Sequence, residues 1–143
     1  MANTYPFTKY RYRVEIEGID VAGFSEVSGF DANIDVVEYR EGNMLPPTPI
    51  KLPGLRKYGN ITLKWGLTAS MALYEWMSPS FETNVERKTI TIILQDEDNA
   101  DVASWQVINA WVVKYTAPDF NATSSEVAIE SIEIAHEGMT RTM

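Results

Sequence analysis

Polar and apolar residues alternate along most of this chain with a period of two, the pattern of β-strands that bury one face. Tyr10, Tyr12, Val14 and Ile16 alternate with Arg11, Arg13, Glu15 and Glu17, and Gly18-Ile19-Asp20 supplies a turn. From Val21 to Phe30 the chain reads as extended, with bulges or close backbone approach expected at Gly23 and Gly29. Ala32, Ile34 and Val36 against Asn33 and Asp35 predict a strand running to about Arg40. Ile61, Leu63 and Trp65 against Thr62 and Lys64 predict the next. Residues 87–95 form a strand with Ile90, Ile92 and Leu94 on one face, and Asp96-Glu97-Asp98-Asn99 turns it into a strand from Trp105 to Tyr115. The expected hairpins are 31–40 with 60–66 and 87–95 with 104–115, each with its apolar face toward the subunit core. In the last strand Val127 and Ile129 share one parity and Ile132 and Ile134 the other, which predicts a bulge near Ser131.

Two stretches depart from alternation. Ala69, Ala72, Leu73, Trp76 and Met77 recur at helical spacing, so a short helix is predicted, capped by Thr68 or Ser70 and ended by Pro79. Glu41 to Gly59 holds four prolines and three glycines, a density that predicts a long Pro-rich loop rather than a strand. Its Leu45, Ile50, Leu52, Leu55 and Tyr58 give that loop apolar material, so it reads as a binding loop and not a spacer. The fold class is therefore mostly β: an antiparallel barrel or sandwich, one flanking helix, and this loop. No internal repeat or boundary divides residues 1–143, and a single domain is expected.

Composition narrows function by exclusion. With no cysteine, disulfides and thiolate chemistry are out, and a net charge of −8 argues against a dedicated nucleic-acid reader. No apolar run approaches the roughly 20 residues of a membrane helix, and the start, Met1 to Pro6, lacks a leader pattern, so synthesis in the bacterial cytoplasm without membrane insertion is expected. His136 is the sole histidine and reads as structural. Asp96, Glu97, Asp98 and Asp101 lack the glycine and terminal glutamate of a calcium loop. Residues 52–59 lack the Lys-Ser/Thr pair of a phosphate loop. No catalytic residue, metal site or cofactor is nominated, and the protein is not expected to be an enzyme.

Several segments in order resemble one family. They are Tyr5-Pro6-Phe7, residues 21–29, Val37-Glu38-Tyr39-Arg40-Glu41-Gly42, Lys51-Leu52-Pro53-Gly54, residues 58–66, residues 121–130 and Ala135-His136-Glu137-Gly138. Together they resemble the tail tube proteins of contractile phages and of extracellular contractile injection systems, across nearly the whole chain. The resemblance implies a phage-like structural subunit, six of which join sheet to sheet in a ring. Rings stack into a hollow tube inside a sheath, with a baseplate, in a virion tail or released particle. DNA or protein cargo passes through without specific binding. The resemblance also implies that 41–59 reaches the adjacent ring, through Leu45, Ile50, Leu52, Leu55 and Tyr58. Trp65 departs from it, since a basic residue is expected there in many relatives, and on a tube wall it would alter the surface.

Within that frame the polar faces of the hairpins, carrying Asn33, Asp35, Thr62, Lys64, Thr89 and Thr91, are expected to line the bore. Two alternatives stand beside the tube subunit. One is the secreted ring protein of type VI secretion, separable by its gene neighbourhood. The other is a monomeric barrel carrying a small apolar ligand, separable by its failure to form rings.

Overall fold

The computed structural model describes residues 5–19, 23–67, 70–123 and 125–143. The chain is mostly β: β1 (Tyr12–Ile16), β2 (Glu26–Ser28), β3 (Ala32–Tyr39), β4 (Ile50–Tyr58), β5 (Ile61–Gly66), α1 (Ala72–Glu82), β6 (Lys88–Gln95), β7 (Asp101–Thr116), β8 (Ile129–Ala135) and β9 (Gly138–Arg141). A seven-stranded sheet runs in the order β1-β6-β7-β8-β5-β2, with β9 added on β7, and β3 and β4 form a separate two-stranded sheet. Every strand pair is antiparallel. The path curls until the Tyr12 hydroxyl, on its first strand, donates to the Phe24 carbonyl beside its last at 2.8 Å.

β7 makes the curl possible. Its first half pairs with β6 and β9 and its second half with β8, and two bulges mark the change of partner. Four β7 residues, 107–110, oppose three on β6, 88–90, and Asn109 there takes φ 51°, a left-handed value that asparagine tolerates. The second bulge places Val113 as the extra residue between partners Val112 and Lys114. Inside lie Val14 and Ile16 of β1, Ile61 and Leu63 of β5, Ile90 and Ile92 of β6, Val107, Ala110 and Val112 of β7, and Ile132 and Ile134 of β8. Trp76 and Met77 of α1 close this core, as helical spacing predicts, and the Trp76 indole donates to the Glu86 carbonyl at 2.9 Å.

Four expectations need correcting. First, 41–59 is not loop throughout: residues 50–58 are β4, paired with β3. Pro53 is tolerated because a two-stranded ribbon consists of edges, and because a bulge beside it, at Gly54 and Leu55, interrupts the ladder. Second, β3 therefore does not pair with β5, and the 31–40/60–66 hairpin does not form; β5 lies between β8 and β2. Third, Pro79 sits inside α1 and not at its end. It falls near the C-terminus, where it removes one backbone bond while Thr83 N still donates to its carbonyl at 2.8 Å. The residue that caps the start is Met71, without a side-chain bond, so Ser70 is not the cap; Thr68 and Ala69 lie outside the described residues. Fourth, β8 has no bulge at Ser131. Its register with β5 is unbroken, Ile132 and Ile134 face the core, Ile129 turns outward and Val127 precedes the strand.

Of the two glycines singled out, Gly29 is a true close approach. At φ +94°, a Cβ there would lie 2.2 Å from the Asn60 carbonyl oxygen. Nothing lies within 4 Å of the corresponding point at Gly23.

Candidate assembly surface

The β3–β4 ribbon carries apolar side chains that the rest of the chain does not cover. Register places Val37 opposite Leu52 and Tyr39 opposite Ile50, so these four share one face. Ile34 and Val36 lie on the other, across from Arg56 and Pro53. All six apolar side chains on β3 and β4 named here are about half exposed, and Leu45, in the connection between the strands, is 96% exposed. A hairpin with bare apolar faces on both sides is unstable in water unless something packs on it.

The expected contact residues occupy three places. Ile50 and Leu52 join Val37 and Tyr39 on one face, Leu45 tops the ribbon, and Leu55 projects at the bulge, 72% exposed. Tyr58 instead lies at the root, its ring 5.5 Å from that of His136. The His136 Nε2 bonds the Gly59 carbonyl at 3.1 Å, the structural role expected of this histidine. The other root strand is held where Phe30 stacks on Trp105 at 6.4 Å.

The polar residues expected on one face occupy three patches. Asn33 and Asp35 are on the ribbon, where the Asp35 carboxylate meets Lys57 at 3.0 Å. Thr62 and Lys64 face outward on β5, between Ser28 and Glu26 of β2 and Glu133 and Ser131 of β8, and Lys64 pairs with Glu26 at 3.2 Å. Thr89 and Thr91 are on β6, with Thr91 between Glu15 and Gln106. Because β3 pairs with β4 and β5 lies between β8 and β2, Asn33 and Asp35 do not share a hairpin face with Thr62 and Lys64. Trp65 is on no wall: it packs against the core and meets Phe24 edge-on at 5.8 Å.

Val37 and Tyr39 escaped the sequence reading. The signal was there, since the adjacent pair Val36-Val37 breaks the alternation and puts apolar residues on both faces of β3. The buried carboxylate Glu130 was missed too. It accepts a short hydrogen bond from the Tyr115 hydroxyl, whose ring meets Tyr74 of α1 edge-on, which fixes the helix to β7 and β8. Burial first, and then the neighbouring Glu130, push the Tyr115 phenol up to about 12.

Among the described residues no group of three His, Cys, Asp or Glu is placed to hold a metal, and no helix is long and apolar enough to cross a membrane. A family model described as T4-like virus tail tube protein gp19 matches residues 8–140. Among solved structures, a chain of the anti-feeding prophage cap, the AFP tube terminating cap, is 36% identical with a TM-score of 0.87, covering 99% of this chain and 94% of that one. A chain of the extended sheath–tube complex of PVC, an extracellular contractile injection system, is 31% identical with a TM-score of 0.87, over 97% and 93% of the two chains. Hcp1 from Flavobacterium johnsoniae shares the fold at a TM-score of 0.60 and 23% identity, over 92% and 94%. No curated protein sequence matches.

Proposed function

The chain belongs to the T4-like virus tail tube protein family, and we propose from that membership that six copies close a ring and that rings stack into a hollow conduit. It is a structural tube subunit of a contractile injection system, whose relatives occur with sheath, terminating cap and baseplate. Sheath and baseplate proteins are its partners together with further copies of itself, and it ends in an assembled extracellular particle. The observation that carries this reading is the ribbon. Its Val37, Tyr39, Ile50 and Leu52 form an apolar face that a lone subunit leaves in water, and a neighbouring copy covers it.

In this reading Leu45, Ile50, Leu52 and Leu55 touch the next ring, and Tyr58 fixes the ribbon's root. Thr62, Lys64, Thr89 and Thr91 face the bore, with the polar base of the ribbon, Asn33 and Asp35, adjoining them. Hydroxyls and scattered charges hold water at such a wall, and the surplus of acidic residues keeps DNA or acidic protein cargo from sticking. The subunit performs no catalysis and is made in the bacterial cytoplasm. Electron microscopy of the purified protein tests the reading. Sixfold rings or tubes are expected, and monomers at every concentration would contradict it.

A further inference from the structure

The body carries an apolar hollow and, separately, an exposed loop of matching character. The hollow, about 240 Å³, opens near the end where β7 begins, between β1 and β2, the two ends of the sheet path. Tyr12, Val27, Phe30, Leu94 and Trp105 line it, so its wall is apolar and largely aromatic. Two cations stand at it, with Glu26 near the Tyr12 phenol: Lys9 lines it as well, and the Arg141 guanidinium lies over the Trp105 ring at 5.7 Å.

The loop is the connection between β7 and β8. Phe120 is 85% exposed and Val127 76% exposed there, and both border one surface dimple together with Asp119 and Glu126. An aromatic and an aliphatic side chain flanked by two carboxylates is the inverse of an apolar hollow flanked by two cations. The two features do not meet within one subunit: they share no lining residue, and Phe120 and Val127 stay exposed.

We propose that Phe120, with Val127 beside it, inserts into the Trp105 hollow of a second copy of this chain, with Asp119 facing Lys9 and Arg141. The contact is heterologous, joining unlike surfaces of successive copies head to tail, the kind of contact that builds rings and stacks. It rests on the tube reading and adds to it the side chain that docks and the site that receives it. The ribbon plays no part in it.

The chain has no cysteine, so a designed pair reports this contact alone. Phe120→Cys combined with Leu94→Cys should, on oxidation of assembled material, give a ladder of covalently linked subunits, whereas either single variant gives none. Phe120→Asp changes an exposed loop residue, so its folding is checked by circular dichroism. It should raise the concentration needed for assembly by about tenfold or more. Wild-type tubes alongside a double-cysteine variant that assembles without linking would overturn the contact, as would Phe120→Asp assembling like wild type. A wild-type protein that forms no rings would defeat the tube reading and this contact with it.

Discussion

The body and the ribbon are made of the same kind of strand and reach opposite ends. In β5 and β8 the alternating apolar residues Ile61, Leu63, Ile132 and Ile134 are almost wholly withdrawn from water. In β3 and β4 the apolar residues Ile34, Val36, Val37, Ile50 and Leu52 stand on both faces and are each about half exposed. The strands of the body close on α1, whereas the ribbon is a single layer with nothing above it among the described residues. Alternation therefore reports that a strand wants a covered face, and topology decides whether its own chain provides the cover.

The difference sets a ranking of substitutions, and the largest effect belongs to the body. Leu63→Ala removes a fully buried side chain and should cost about 2–5 kcal/mol, read by denaturant unfolding. Gly29→Ala comes next. It forces a left-handed backbone on alanine and drives its Cβ against the Asn60 carbonyl, so a loss of about 1–3 kcal/mol is expected by thermal unfolding.

Tyr115→Phe ranks third. Losing the hydrogen bond to buried Glu130 should cost about 1 kcal/mol at neutral pH. The sign with pH follows from the raised phenol. An unfolded tyrosine ionises near 10.0 and the folded one near about 12, so its contribution is complete below pH 10 and is lost as pH climbs through that interval. Alkaline unfolding curves should show the gap between wild type and Tyr115→Phe narrowing there, and a gap that widens would refute the assignment.

The smallest effect on stability belongs to the ribbon. Val37→Ser with Leu52→Ser should shift subunit stability by no more than about 0.5 kcal/mol, since both side chains are already half in water. The same pair should stop rings from lengthening into tubes, as seen by electron microscopy. Normal tubes would remove the ribbon from the assembly surface.

These two regions also mark how far the sequence was legible. Every body strand that alternates plainly was readable, as was the stripe of Trp76 and Met77, because one period and one buried face coincide there. The ribbon was half readable. Pro46, Pro47, Pro49 and Pro53 signal loop by local propensity, yet pairing with β3 and a bulge at Gly54 overrode that for residues 50–58. Reading β4 as loop then gave β3 the wrong partner and put Asn33 and Asp35 on one hairpin face with Thr62 and Lys64. The parity change around Ser131 needed no bulge: β8 keeps an unbroken register with β5, while Ile129 turns to water and Val127 lies outside the strand, so apolar side chains that face outward imitated a slip. Glu130 carried no pattern at all, because its partner Tyr115 is supplied by another strand.

The most direct test of the ribbon's role is amide hydrogen exchange across residues 32–58, compared between free subunits and assembled tubes. Strong protection of Val36 to Tyr39 and Ile50 to Leu55 on assembly is expected, with the core strands β5, β7 and β8 nearly unchanged. Equal exchange from the ribbon in both states would show that it stays in water, and that its apolar faces do not build the tube.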